Sequence, residues 1–138
     1  MRPPPPDIKN FFELLKTART DPAVGIRIVK VTGDDQTGMY VAELGPHHSV
    51  TAHYHCAGSE IYQVVHGEGK LYTGIPSSET VVTWDIPVVV NSGDCFTVQE
   101  GQVHRLENTG SYSMIAIIIC PAAHIGYDRI IAEGASPT

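Results

Sequence analysis

The stretch that decides the fold reads Ala52-His53-Tyr54-His55-Cys56-Ala57-Gly58-Ser59-Glu60. Two histidines separated by one residue lie on the same face of a β-strand, because side chains alternate with a period of two. At a rise of ~3.3 Å per residue, His53 and His55 lie roughly 6.6 Å apart along such a strand. Rings at that separation can converge on one ion, since a metal–nitrogen bond spans ~2.0–2.1 Å. The turn from Cys56 to Ser59 then returns the chain, so that Glu60 can contribute a carboxylate oxygen.

The third histidine must come from another strand, and a second stretch provides it. This stretch reads Gly93-Asp94-Cys95-Phe96-Thr97-Val98-Gln99-Glu100-Gly101-Gln102-Val103-His104-Arg105-Leu106-Glu107-Asn108. A lone strand histidine is usually a surface or core residue, and a lone glutamate after a turn is usually solvated. A metal site instead demands several convergent ligands, and four appear here in register. We therefore predict that one divalent metal ion is bound by four residues: His53, His55, Glu60 and His104.

Both stretches resemble the two sequence motifs of the cupin superfamily. The first motif is Gly, five residues, His-x-His, three or four residues, Glu, six residues and Gly. The second is Gly, five residues, Pro-x-Gly, two residues, His, three residues and Asn. Glu60 and Gly67 fit the first motif, although its leading glycine is displaced to Gly45, and Gln99 replaces the proline of the second. The resemblance covers about residues 38 to 121 and implies an all-β fold, a double-stranded β-helix or jelly-roll barrel. The positions that match the second motif are Gly93, Gly101, His104 and Asn108.

The rest of the chain has the pattern of short strands separated by turns. About ten strands at such intervals favour a sandwich or barrel, in agreement with the jelly-roll barrel that the resemblance implies. Ahead of them, Asp7 can cap a short amphipathic helix, which Asp21-Pro22 ends. We predict an N-terminal proline arm and short helix over residues 1–24 and a single barrel domain over residues 25–138. The predicted strands are 25–31, 39–44, 50–55, 60–66, 70–73, 80–84, 88–90, 95–98, 103–107 and 113–120.

Composition and charge restrict the possible partners. The chain has 138 residues, the usual size of one domain. With 42% hydrophobic and 17% charged residues, a sizeable core is expected rather than disorder. The net charge of −6 argues against binding to a nucleic acid backbone and against docking on anionic lipid. A bound divalent ion would still make the pocket locally positive, so anionic small molecules remain allowed.

The cysteines and the N-terminus favour the cytoplasm. Cys56, Cys95 and Cys120 form no CxxC pattern and are odd in number, which disfavours a disulfide framework and fits a reducing compartment. Met1 to Pro6 contains no apolar core of the kind found in signal peptides. The longest apolar run, Met114 to Cys120, is far too short to span a bilayer. We therefore expect a cytoplasmic protein without a membrane partner.

Strand alternation also predicts a tyrosine beside the ligands. Tyr62 shares the parity of Glu60, so its side chain should face the same interior. There it either contacts a ligand or the substrate, or packs as a core tyrosine whose hydroxyl finds another partner.

The strand from Ser113 to Cys120 bears on assembly. It is apolar on both faces beyond Tyr112, and a strand buried on both sides requires cover outside the barrel. We expect a second subunit to provide that cover, in a homodimer.

The predicted ligand set is compatible with several kinds of chemistry. Three neutral imidazoles and one carboxylate leave a divalent ion with open positions, where it can polarise a substrate, lower the pKa of bound water or orient a substrate. Imidazole and carboxylate serve Fe, Mn, Ni, Zn and Co, so the ligand types do not select the metal. Three classes of protein remain. They are a metal-dependent isomerase, an Fe(II)-dependent dioxygenase and a non-catalytic protein that binds a small molecule.

A second resemblance bears on that choice. The segments His104 to Gly110 and Cys120 to Tyr127 look like the end of the cupin-type glucose-6-phosphate isomerases. This resemblance implies a sugar or sugar-phosphate isomerase in which Glu60 moves a proton between adjacent carbons and Tyr127 closes the site. However, Val50-Thr51-Ala52 stands where that family has the Thr-x-Gly that helps to hold phosphate. For His124 and Tyr127 the alternative is a C-terminal segment that only packs on the barrel. The predicted catalytic residues are Glu60, Tyr62 and Tyr127.

Overall fold

The computed structural model describes residues 1–78 and 81–132, which form one short α-helix, one 3-10 helix and twelve strands. The all-β class with a short N-terminal helix is therefore confirmed. Helix α1 is Phe11–Leu15 and the 3-10 helix is Ala122–Ile125. The strands are β1 Arg19–Asp21, β2 Ile26–Gly33, β3 Gly38–Leu44, β4 His53–Tyr54, β5 Glu60–His66, β6 Glu68–Pro76, β7 Val82–Trp84, β8 Val88–Asn91, β9 Cys95–Val98, β10 Val103–Asn108, β11 Met114–Cys120 and β12 Ile130–Ile131.

Two antiparallel sheets face each other in a double-stranded β-helix. One has the order β1-β2-β3-β11-β5-β9, and the other has the order β12-β4-β10-β6-β7, with β8 also paired to β6. Along β5 the side chains of Glu60, Tyr62 and Val64 are buried while Ile61 and Gln63 are exposed, as expected for a strand with one face on the core. The main core lies between the sheets and includes Tyr40, Ala42, Leu44, Val98, Leu106 and Ile118.

The N-terminal helix differs from the prediction at both ends. Its cap is Asn10, whose side-chain oxygen accepts a hydrogen bond from the Glu13 amide at 3.1 Å, so the prediction that Asp7 caps it was wrong. The helix ends at Leu15 rather than at Asp21-Pro22, because the chain from Arg19 onward pairs with β2 as strand β1. Backbone pairing to an edge of the sheet thus ends the helical conformation before the proline does.

Helix α1 packs on the outer face of the first sheet, mainly against β2 and β3, and shares an apolar cluster with the outer face of β11. Leu15 is buried against Val41 and Ile117, and Phe11 packs on the same cluster. The chain therefore supplies some of the cover that the sequence led us to expect from a second subunit. The homodimer stays a prediction.

The predicted strand bounds agree best with the structure in the middle of the chain. They fail for the strands of only two or three residues. The predicted strand 50–55 is reduced to β4, His53–Tyr54, and β1 and β12 were not predicted. The predicted strand 80–84 begins at Val82, and its first residue, Thr80, lies outside the described residues. Residues 133–138 of the predicted barrel domain also lie outside them. Within the described part of the chain, no helix combines the length and apolar character that crossing a membrane requires.

Candidate metal centre

Three histidines meet on the inner face of the second sheet. His53 on β4 lies opposite His104 on β10 in the strand register, and their ring centroids are 4.2 Å apart. His55 follows directly after β4, with its ring 5.1 Å from that of His53 and 5.4 Å from that of His104. All three side chains are buried. One ring nitrogen from each lies within 4.8 Å of the other two, so the spacing brings them together as the sequence indicated.

Each of these rings is held by a hydrogen bond from Nδ1 to a backbone carbonyl. Because a carbonyl oxygen can only accept, each Nδ1 carries the hydrogen, and in the neutral ring Nε2 keeps a free lone pair. Such bonds fix the orientation of metal-binding histidines. The pairs are His53 with Thr51 at 2.7 Å, His55 with Asp128 at 2.6 Å and His104 with Gln102 at 3.2 Å.

The free nitrogens fit a metal ion. The Nε2 atoms of His55 and His104 are fully buried and have no hydrogen-bond partner. A buried acceptor without a partner costs about 1–3 kcal/mol, so two of them in one cluster need an explanation. A divalent cation accepts lone pairs from neutral imidazoles and would satisfy both. The donor set therefore fits a bound metal, and these residues are able to hold one.

The electrostatics keep His53 in the form that binds metal. Burial, together with the smaller effect of the neighbouring His104, lowers the pKa of His53 to about 3. An imidazole with so low a pKa is neutral at physiological pH, and only the neutral ring can donate a lone pair.

Glu60 lies at the start of β5 beside two of the imidazoles. Its Oε2 is 3.2 Å from Nε2 of His55, and its Oε1 is 3.3 Å from Nε2 of His104. Neighbouring ligands around an ion with bonds of ~2.1–2.2 Å lie roughly 3.0 Å apart, so these separations suit a shared ion. Tyr62 donates its hydroxyl to Oε1 at 3.0 Å, and His124 donates Nδ1 to Oε2 at 2.9 Å.

The carboxyl group of Glu60 is ionised. Burial alone would raise its pKa, but the hydrogen bond that His124 donates to Oε2 acts against burial, and the pKa lies well below its usual range. A buried carboxylate surrounded by imidazoles is an oxygen ligand ready for a divalent ion.

The structure adds one histidine to the site and does not bring one predicted tyrosine to it. His124 is only 1% exposed. One of its ring nitrogens lies close to a ring nitrogen of His55 and a carboxylate oxygen of Glu60, and the three atoms form a second possible metal-binding set. Burial opposes its protonation, but the hydrogen bond to Glu60 raises the pKa of His124. Tyr62 lines the cavity beside the ligands. Tyr127 is 91% exposed and is not among the lining residues, so nothing in its position supports a catalytic role.

A small cavity lies beside the imidazoles. Its volume of about 30 Å³ has room for one or two water molecules. Among the described residues that line it, Arg129 is the only lysine or arginine, and it forms a largely buried ion pair with Asp21. Apart from the ligand residues, most of the wall is apolar, formed by Val24, Ile26, Ile28, Val50, Leu106, Ile118 and Ile125.

Comparison with known proteins shows which families and proteins this chain resembles. Residues 40–120 match the family described as Cupin domain. A germin-like protein of Mesembryanthemum crystallinum is 31% identical over 121 residues, which are 81% of this chain and 51% of the relative. A germin-like protein of Arabidopsis thaliana, subfamily 1 member 20, is 30% identical over 119 residues, which are 80% of this chain and 53% of the relative. The chain thus spans about half the length of the curated relatives that it matches.

Solved structures agree on the architecture. A protein from Klebsiella pneumoniae with a double-stranded beta-helix domain has a TM-score of 0.65 at 20% identity, covering 94% of this chain and 99% of its own. A predicted oxalate decarboxylase from Thermotoga maritima has a TM-score of 0.57 at 21% identity, covering 68% of this chain and 77% of its own. Sequence identities of this size establish a shared fold. The chemistry of this chain has to be argued from the residues of its own site.

Proposed function

This chain belongs to the cupin family, and we propose that it is a mononuclear metal enzyme that acts on a small molecule through oxygen atoms bound at the metal. The metal would be held by the three histidines of the second sheet and by Glu60. The observation that carries the proposal is the pair of buried Nε2 atoms, on His55 and His104, that lack any other partner beside an accessible cavity. A bound divalent ion would supply Lewis acidity and open positions for substrate oxygen.

The cavity wall favours a largely apolar substrate. A sugar carries a hydroxyl on most of its carbons, and each buried hydroxyl needs a hydrogen-bond partner. The wall beyond the ligands offers aliphatic side chains, and the Arg129 guanidinium is already paired with Asp21. A phosphate group would find no free cation among the described lining residues. The cavity has room only for one or two water-sized groups, so it is better suited to the oxygen-bearing end of a small, largely apolar molecule than to a sugar phosphate.

This preference favours the dioxygenase class over the isomerase. In an Fe(II) dioxygenase the bound ion would provide the reactivity towards molecular oxygen. The protein would need mainly to orient the substrate and to exclude water. The apolar residues around the imidazoles would serve both needs. The isomerase remains the second candidate because of one observation. The Glu60 carboxylate and the Tyr62 hydroxyl lie 3.0 Å apart, a carboxylate and phenol pair that could transfer a proton and steady an oxyanion.

The reaction class can be decided with one set of substrates. Protein loaded with Fe(II) under nitrogen should consume oxygen in proportion to turnover of small dicarbonyl or hydroxyketone compounds, whereas the Zn(II)-loaded protein should consume none. Deuterium entering the substrate carbon from heavy water, without oxygen uptake, would instead assign the isomerase. Thermal stabilisation by these compounds with neither signal would indicate a binding protein and contradict an enzymatic role.

Substituting Asp21 tests the proposed selection against anions. In Asp21→Asn the Arg129 guanidinium loses its charged partner, so inorganic phosphate should bind about tenfold more tightly than to the native protein, as expected for one new charge-assisted hydrogen bond. Isothermal titration and thermal shift with phosphate measure the effect. Adding Arg129→Gln to the variant should abolish it. Equal phosphate affinity in the native protein and in Asp21→Asn would show that the ion pair does not set this selectivity.

A further inference from the structure

His124 lies directly behind the proposed ligands. It belongs to the 3-10 helix Ala122–Ile125 that follows β11, and it is one of the most deeply buried side chains of the protein. Its ring stacks on that of His55 with a centroid distance of 4.0 Å and an interplanar angle of 3°. A buried polar ring in this position is retained only when its nitrogens have partners.

Both ring nitrogens of His124 donate hydrogen bonds. Nε2 is 2.6 Å from the Ala57 carbonyl oxygen, which can only accept. Nδ1 is 2.9 Å from Oε2 of the Glu60 carboxylate, which also accepts. A ring whose two nitrogens both point at acceptors has no lone pair directed at the ion. His124 is therefore placed to act on Glu60 rather than to bind the metal itself, although its nitrogen lies close enough to be counted with the ligands.

The Glu60 carboxylate needs such support, because the terminal torsion of a glutamate is broad and fixes the two oxygens poorly. Here each oxygen receives one donor, Tyr62 on Oε1 and His124 on Oε2. The bond from His124 to Ala57 also fastens the turn that leads into Glu60. Asp128 strengthens the same turn, since its carboxylate accepts the amide hydrogens of Cys56 and Ala57 at 2.7 and 3.1 Å.

We infer that His124 is a positioning residue, which holds the Glu60 carboxylate in the orientation that completes the metal centre. The inference rests on the proposed function, since it assumes that Glu60 is a ligand. Removal of a group that orients a metal ligand typically lowers metal affinity by about 10–100-fold without removing the ion at saturation. Loss of a true ligand should instead abolish or restructure binding.

The test compares three variants by metal affinity and by spectrum. His124→Ala should bind Co(II) about 10–100-fold more weakly than the native protein, yet still take up one ion per chain at saturation, with shifted d–d absorption bands. His124→Asn keeps a donor near the position of Nδ1 and should recover most of the affinity and the native spectrum. The matched control is His66→Ala, which removes an exposed histidine from the same strand as Glu60 and should leave both unchanged.

Two results would overturn the inference. One is native affinity and spectrum in His124→Ala, and the other is complete loss of the ion, which would make His124 a ligand. Circular dichroism of the metal-free variants checks that they fold, and His124→Asn carries the comparison if His124→Ala does not. Failure of the proposed function is distinct, because in that case the native protein itself would bind no divalent ion in the Co(II) titration.

Discussion

Replacing both His53 and His104 by alanine should leave a protein that retains no divalent ion. These two histidines lie opposite each other on paired strands, so their loss removes one whole side of the proposed coordination sphere. The native protein should carry about one ion per chain and lose thermal stability on treatment with a chelator. A ligand at 1,000 times its dissociation constant stabilises the folded state by about 4 kcal/mol. The double variant should show no such response.

Elemental analysis and thermal unfolding with and without chelator measure both effects. The matched control is the double variant His48→Ala/His66→Ala, which removes the same number of histidines from exposed positions and should behave as the native protein. Full metal occupancy in His53→Ala/His104→Ala would contradict the assignment of the site. An unchanged melting temperature of the native protein after chelator treatment would also contradict the assignment of the site.

The metal-free protein should lose several kcal/mol of stability as the pH falls below about 6.5. Burial lowers the pKa of His53 from 6.5 to about 3. Below pH 6.5 the His53 side chain therefore takes up a proton in the unfolded chain but stays neutral in the folded chain. Stability therefore falls between those two pH values, by about 1.4 kcal/mol for each pH unit, or roughly 4–5 kcal/mol in all. Glu60 acts in the same direction at lower pH. Its pKa lies below the ordinary 4.5, so the stability that it contributes is lost as the pH falls below that value.

Urea unfolding of chelator-treated protein at a series of pH values gives the free energy of unfolding directly. His53→Asn is the matched variant, because asparagine keeps a donor for the Thr51 carbonyl but does not titrate. Its stability should vary much less than that of the native protein between about pH 6.5 and pH 4.5. Identical pH profiles for the two proteins would show that His53 is not the group responsible.

Much of the fold could be predicted from local pattern. The predicted strands 60–66 and 95–98 have the observed bounds of β5 and β9, because alternation and flanking turns mark them clearly. Strands β1 and β12 have three and two residues, and they exist only because a neighbouring strand offers hydrogen bonds to their backbone. No periodicity can develop over so few residues. The helix bounds failed for the same reason, since pairing of Arg19 to β2 is a tertiary effect.

The candidate site divides in the same way. The closeness of His53 and His55 could be predicted from their spacing along a strand. The motifs of the family implied that His104 is the third histidine ligand. His124 is 64 residues from Glu60, and the segment after Cys120 gave no sequence signal beyond a resemblance that covered His124 and Tyr127 alike. These two residues differ by three positions in a 3-10 helix and the turn after it, where strand parity gives no guidance. One is buried against the ligands and the other is exposed.

The dependence of the site on the C-terminal segment has a consequence for the order of folding. His124 reaches Glu60 across 64 residues, Asp128 reaches His55 across 73, and Arg129 reaches Asp21 across 108. Residues 122–131 can dock only after the turn from Cys56 to Ser59 and strand β4 are in place, because their hydrogen-bond partners lie there. The imidazoles can meet once β4 and β10 pair, whereas the carboxylate is oriented and the cavity closed only when residues 122–131 dock. Partly folded chains thus present imidazoles to any competing metal in solution, and the supply of the correct ion matters most in that interval.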